Sequence, residues 1–238
     1  MLLAKDTGPV VRLVLAISLD GRLAPSLKDA AWLGASGDRR ALEEALAWAD
    51  GTLMGVGTLH AYGSTCLIHD ADLLARRAAE GRSPQPVCVV VGGRQVFQTH
   101  WSFFQQPIER WLLGTTDVSG FVTQLKPAES WYLTLRQLKV LGLRHLVLLG
   151  GARLIGSLLS EDTIDELQLT LTPHLLGGEA CWLPTSLAKL PAKLRSKGAW
   201  QLQRADKLGG DELLLIYSRY RLPGPDVCES SKLQSSRS

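Results

Sequence analysis

The feature that most constrains this chain is its alternation of short apolar runs with stretches whose apolar residues recur at three and four. Runs of aliphatic and β-branched residues at Val10–Ser18, 52–56, Val87–Val91, 109–113, 143–149 and 164–171 read as strands. Between them Leu42, Ala45, Leu46 and Ala49 recur at helical spacing behind Ser36, which is expected to cap a helix carrying Asp38 in its first turn. Leu73, Leu74 and Ala78 repeat the pattern within 70–80, and Trp131, Leu135, Leu138 and Leu141 form a stripe that Gly142 ends. A chain that switches repeatedly between these periods layers helices on a sheet, and runs apolar on both faces belong to parallel strands. The expected fold is α/β, a mostly parallel twisted central sheet with flanking helices. It closes with an antiparallel hairpin, 200–205 and 212–220, around Gly209-Gly210-Asp211.

Composition narrows the partners. Lys and Arg number 26 against 23 Asp and Glu, a net +3 too weak to act as a nucleic-acid footprint, so no nucleic acid is expected. Cys66, Cys88, Cys181 and Cys228 have neither a C-x-x-C spacing nor a nearby histidine, which fits a reducing cytoplasm and no metal site. The apolar run at 10–19 lacks a signal-peptide cleavage pattern, and 51–69 is too rich in glycine and polar residues to span a membrane. From Leu222 the chain turns to Pro, Gly and Ser without periodicity. The expected organisation is one domain over 1–221 and a disordered tail over 222–238.

Chemistry is signalled by glycines at strand ends. Gly150-Gly151-Ala152-Arg153-Leu154 follows the apolar run at 143–149, where glycines admit a ligand to the backbone and the first helical turn offers free N–H groups to phosphate. A tight turn needing small residues explains the glycine pair equally well. Gly55-Val56-Gly57-Thr58 and Gly92-Gly93-Arg94 are further strand-end clusters, with Thr58 placed to cap a short helix and Arg94 to meet a 2′-phosphate. Carboxyl ends of parallel strands share one sheet edge, which is where open α/β folds bind nucleotides.

Several motifs then occur in a recognisable order: Ser18-Leu19-Asp20-Gly21-Arg22-Leu23-Ala24, Trp32, Ala49-Asp50-Gly51, Gly55-Val56-Gly57-Thr58, Leu148-Leu149-Gly150-Gly151, Asp165-Glu166-Leu167 and Thr172-Pro173-His174-Leu175-Leu176-Gly177-Gly178. Over 10–220 the chain resembles the reductase half of the bifunctional deaminase-reductase of riboflavin biosynthesis, a family with a dihydrofolate reductase-like fold. The resemblance implies NADPH-dependent reduction of the ribosyl group of 5-amino-6-(5-phosphoribosylamino)uracil to ribityl. It also implies cofactor contacts at Ala16, Trp32, Thr58, Gly93 and Gly150, Gly151, Ala152, Arg153 and Leu154. Substrate-facing positions match Ala30, Leu46, Tyr62, Cys66, His69 and Leu149.

The chain departs from the family on the substrate side. Leu149 stands where the family has Glu, Leu46 and His69 where it has Arg, and Tyr62-Gly63-Ser64 where it has Asp-x-Pro. Lys28 and Arg39 are the candidate substitutes for the lost phosphate contacts. The H-x-E and P-C-x-x-C set of a zinc deaminase does not occur in these residues, so no deaminase activity is expected of them. Two other readings keep the fold: a reductase of another small heterocyclic or carbonyl substrate, or a non-catalytic nucleotide-binding relative. Asp20 before Gly21 reads as a turn former rather than a general acid. His60 and His145 have no carboxylate beside them in sequence. Leu167, Leu169 and Leu171 alternate along one strand face, a pattern read as a subunit contact and so as a homodimer.

Overall fold

Strand pairing sets the architecture of the computed structural model, which describes residues 8–26, 33–92, 97–98, 100–183 and 190–221. Parallel pairing joins β1 (Val10–Ser18), β2 (Gly51–Gly55), β3 (Val87–Val91), β4 (Arg110–Leu113), β5 (Thr123–Leu125), β6 (His145–Leu148) and β7 (Glu166–Thr172) in the spatial order β5-β4-β3-β2-β6-β1-β7. The hairpin of β8 (Trp200–Lys207) and β9 (Leu213–Arg219) extends this sheet, β9 lying antiparallel to β7. The mostly parallel sheet and terminal antiparallel hairpin are those expected from the apolar runs.

Alternation along β1 sends side chains to two cores. Val11, Leu13 and Leu15 join Leu135 and Leu138 of α4 (Trp131–Val140) and Ile155 and Leu158 of α5 (Ala152–Ser160) on one face. Val14 joins Ala45 and Leu46 of α1 (Ser36–Trp48) and Leu73 of α3 (Ala71–Ala79) on the other. Two short helices complete the fold, α2 (Val56–Tyr62) and α6 (Ala192–Arg195).

The amino-terminal edge of the central strands is fastened by carboxylates. Asp50, just before β2, accepts the N–H groups of Arg144 and His145 at 2.9 and 2.8 Å and pairs with Arg82 at 2.9 Å. Asp165, just before β7, accepts Val11 N–H at 2.8 Å. His145 thus does have a carboxylate beside it, with Nδ1 3.4 Å from Asp50, which sequence adjacency hides.

Several expectations need correction. Ser36 is the first residue of α1 rather than its cap; the carboxylate of distant Glu212 accepts Ala35 N–H at 2.6 Å and Asp38 N–H at 3.3 Å instead. Thr58 lies inside α2, which starts at Val56, so it caps nothing. On α3 Ala78 is exposed and Arg77 takes the buried position, 2% exposed, because its guanidinium closes the end of α1 by donating to the carbonyls of Ala47 and Ala49 at 3.0 and 2.8 Å. The leucines of β7 line an interior strand between β1 and β9 and pack on the core. The proposed tail, 222–238, lies outside the described residues. Among the described residues no helix is long and apolar enough to cross a membrane.

Candidate functional site

Strands β2, β6 and β1 are neighbours and parallel, so their carboxyl ends open on one rim of the sheet. A cleft of about 1540 Å³ runs across that rim. Ala16 of β1, Gly55 at the end of β2, Leu149 after β6 and the Gly150–Leu154 turn all line it, together with Gly57, Thr58 and Tyr62 of α2. This is the crevice position at which open α/β sheets take ligands.

The glycine pair is there for backbone reasons. Gly150 and Gly151 have φ of +122° and +96°, a region that side chains other than hydrogen rarely adopt. Close approach adds a second constraint: a Cβ on Gly151 would stand 3.3 Å from the Thr58 hydroxyl oxygen and 3.4 Å from the Gly55 Cα. These contacts draw β2, α2 and the start of α5 together. No side chain among the described residues caps α5, and its first intrahelical bond is that of Ile155 N–H to the Gly151 carbonyl at 2.9 Å. The amides of Ala152, Arg153 and Leu154 therefore belong to the turn that lacks intrahelical acceptors. Facing the cleft at the positive end of a nine-residue helix, they suit an anionic oxygen. Gly57 adds an open stretch of wall, since a Cβ there would meet nothing within 4 Å.

The opposite wall is built by α1 and the segment before α3. Asp38, Arg39, Leu42 and Glu43 line the cleft from the helix, and Ser64, Thr65, Cys66 and His69 from the segment. Glu43 joins these two pieces: its carboxylate accepts His69 and Asp70 N–H at 2.8 Å each and pairs with Arg39 at 3.2 Å. Burial pushes the Glu43 carboxyl upward, but these hydrogen bonds outweigh it and hold it below the usual value. Burial pushes the Cys66 thiol up to about 11, so it faces the cleft as a neutral group.

The structure thus brings Ala16, Thr58, Tyr62, Cys66, His69, Leu149 and Gly150–Leu154 to a single cleft, with Arg39 on its wall. Leu46 does not line it: its side chain is 0% exposed and packs with Ile68 and Leu73. Ala30, Trp32, Gly93, Arg94 and Lys28 lie outside the described residues. Asp20 fulfils its turn role: it accepts Ser18 Oγ at 2.5 Å and the N–H groups of Leu176 and Gly177 at 3.1 and 2.7 Å.

Asp38 was read from sequence only as a first-turn acid, and it is a cleft residue. Its carboxyl occupies the space over Gly34, whose Cβ position would lie 1.9 Å from Oδ2. Burial raises this carboxyl, the hydroxyl of Thr170 on β7 counters it, and the negative charge of Glu212 raises it further. The one signal in the sequence was a glycine four residues ahead of an acid at a helix start.

A mostly parallel α/β sheet with a cleft across its carboxyl rim and a terminal antiparallel hairpin is the fold of the dihydrofolate reductase-like proteins. Dihydrofolate reductase from Enterococcus faecalis, solved with NADP(H), superposes with a TM-score of 0.51 at 13% identity, covering 89% of this chain and 97% of that one. RibD of Acinetobacter baumannii superposes with a TM-score of 0.73 at 22% identity, covering 91% of this chain and 59% of that one. Residues 9–206 match the family described as the RibD C-terminal domain, and the chain belongs to that family. The riboflavin biosynthesis protein RibD of Haemophilus influenzae is 28% identical over 224 residues, 88% of this chain. The chain spans 58% of the length of that relative. The 2,5-diamino-6-ribosylamino-4(3H)-pyrimidinone 5′-phosphate reductase of Archaeoglobus fulgidus is 25% identical over 181 residues, 71% of this chain and 83% of its own length.

Proposed function

We propose that this chain is an NADPH-dependent reductase of riboflavin biosynthesis that converts the ribosyl group of a 6-(5-phosphoribosylamino)pyrimidine, such as 5-amino-6-(5-phosphoribosylamino)uracil, to ribityl. The observation that carries the reading is the uncapped start of α5 opening into the cleft behind Gly150 and Gly151, within a chain of the RibD C-terminal domain family. The donor set fits the cofactor: backbone N–H groups for a pyrophosphate, and small residues at Ala16, Gly55 and Gly57 where a flat ring system can lie against backbone. When bound, NADPH supplies a hydride to the anomeric carbon of the sugar, whose ring oxygen takes a proton and leaves as the new hydroxyl.

The protein's part is placement. The amides of Ala152–Leu154 hold the dinucleotide, Thr58 stands beside Gly151, and the α1 wall with Arg39 receives the phosphorylated pyrimidine. A homodimer and a cytoplasmic setting belong to the same reading. The test is loss of NADPH absorbance in the presence of the pyrimidine; folded protein that oxidises no NADPH above background overturns it.

A second reading keeps fold and cofactor and changes the substrate to another small heterocyclic or carbonyl compound. It is favoured by Leu149 and Tyr62, which give the cleft wall an apolar and a phenolic side chain where the resembling family carries carboxylates. Under it NADPH raises the melting temperature and the pyrimidine does not.

A further inference from the structure

Part of the cleft wall comes from the loop after β1 and the segment after β7, and one arginine joins them. Leu23 and Ala24 line the cleft from the first, Ala180 and Cys181 from the second. Arg22 forms a backbone bridge with Cys181, and its Nη1 donates to the Cys181 sulfur. The guanidinium is short of acceptors. Its Nε is buried with no hydrogen-bond partner among the described residues. Asp20, the carboxylate paired with it at 3.8 Å, is already bound to the Ser18 hydroxyl and to the Leu176 and Gly177 amides. The sulfur is what remains in direct contact with the charge. A cation so placed favours the anionic form of the thiol, which returns to the guanidinium the negative charge it lacks.

We propose that Cys181 is a modification site on the cleft wall, a thiolate held by Arg22 that reacts with soft electrophiles and is oxidised by hydrogen peroxide to a sulfenate. The chemistry does not depend on the reductase reading. In the oxidation the sulfur attacks one peroxide oxygen, and the S–O bond forms as the O–O bond breaks. The departing hydroxide takes the proton of the new sulfenic acid and leaves as water; sulfur is oxidised and the peroxide reduced. The sulfenate then sets an anionic oxygen beside a guanidinium that is short of acceptors, and adds an atom to the wall between Ala24 and Ala180. The charged groups around the sulfur are Arg22 and Asp20 from the loop after β1 and, in its own segment, Glu179, which is exposed to solvent and whose carbonyl accepts Cys181 N–H at 2.8 Å. Cys66 shows what the cleft alone does to a thiol. It lines the same space, and burial, with the neighbouring Cys88 and Asp38, pushes it up to about 11. Cys88 is itself buried, 1% exposed. The selectivity for Cys181 therefore comes from Arg22 rather than from access to the cleft.

The experiment labels the full chain with iodoacetamide and follows alkylation of each cysteine by peptide mass spectrometry. At pH 7 Cys181 is expected to react at least about tenfold faster than Cys66, since an ordinary thiol is only a few per cent thiolate there. Arg22→Gln is expected to remove most of that advantage and Arg22→Lys, which keeps a cation, to retain it. The wild-type and Arg22→Gln rates at Cys181 are expected to converge above about pH 9, where the unassisted thiol ionises as well. A parallel sample receives hydrogen peroxide with dimedone, a trap for sulfenic acid, and the adduct is expected on Cys181. Peroxide without the trap is expected to remove at least about half of the NADPH-induced rise in melting temperature, reversibly with dithiothreitol, and to leave the rise in Cys181→Ser as it was. Equal alkylation of Cys181 and Cys66, an unchanged rate in Arg22→Gln, or dimedone on another cysteine in preference to Cys181 overturns the proposal. If Arg22→Gln does not fold, the Cys181 to Cys66 ratio in wild type and in Arg22→Lys decides it. A chain that carries the oxidised sulfur with its thermal shift intact overturns the link to the cleft. No NADPH shift in untreated protein overturns the cofactor reading instead, and the labelling ratios still decide the fate of Cys181.

Discussion

Arg219 and Asp162 meet through two hydrogen bonds, of 2.8 and 3.2 Å, with their side chains only 3% and 4% exposed. The pair ties the end of β9 to the turn after α5, and Lys193 reaches the same carboxylate at 3.1 Å. Burial alone raises the Asp162 carboxyl; the hydrogen bonds of Arg219 and Lys193 outweigh it and set it below the ordinary value. A lowered carboxyl contributes stability above its unfolded pKa, about 3.9, and loses it as pH falls through the folded value. Asp162→Asn keeps a residue that tolerates the φ of +55° but leaves Arg219 buried without a counter-charge. It is expected to cost about 3–5 kcal/mol in urea unfolding at neutral pH, and to flatten the loss of stability below about pH 4.

Asp20 is a second acid lever, at the surface. The Ser18 hydroxyl first, then the Leu176 and Gly177 amides, lower its carboxyl to about 2 against the opposing effect of burial. Protection of the Leu176 and Gly177 amides, relative to an unstructured amide at the same pH, is expected to hold above about pH 4 and to fall as pH drops towards 2. In Asp20→Ala both amides are expected to lose that protection at every pH, with the global unfolding midpoint little changed.

Gly151 separates structure from ligand binding. Gly151→Ala forces a side chain to φ +96° and into contact with Thr58 and Gly55, at an expected cost of about 1–3 kcal/mol in chemical denaturation. Gly151→Asp adds a negative charge at the start of α5, and the rise in melting temperature caused by NADPH is expected to vanish while circular dichroism still reports a folded chain.

Arg77→Lys tests the closing of α1. The guanidinium reaches the carbonyls of Leu46, Ala47, Ala49 and Ser83 at 3.4, 3.0, 2.8 and 2.8 Å, and burial, with the Arg82 charge, lowers it only to about 10, so it is charged at neutral pH. An ammonium cannot span these acceptors. The variant is expected to lose at least about 2 kcal/mol, read as a lower urea midpoint at unchanged m.

What the sequence disclosed follows the range of the interactions. Val87–Val91 and the stretch around Leu146 and Leu148 announce buried parallel strands because each run is apolar by itself. Gly150 and Gly151 are equally local, since a positive φ calls for glycine wherever it falls. Glu212 as the cap of α1 was not legible: it comes from 177 positions away from Ala35, and nothing near Ser36 signals that its role is taken. Arg77 reads as a surface arginine until α1 ends above it. Asp38 likewise becomes a cleft residue only when Thr170 and Glu212 fold against it, while Leu46 leaves the site because α1 carries it under Ile68 and Leu73.

Asp50 and Asp165 have a consequence for the opposite rim of the sheet. There the protein meets the amides of Val11, Arg144 and His145 with oxygens of its own acids. At the start of α5 it supplies no such oxygen from any described side chain. The same bond, amide hydrogen to anionic oxygen, thus fastens one end of the strands and is made by no described side chain at the other. Substitutions that disturb the fastened end should register in the melting curve, and a negative charge added at the start of α5 in the binding curve.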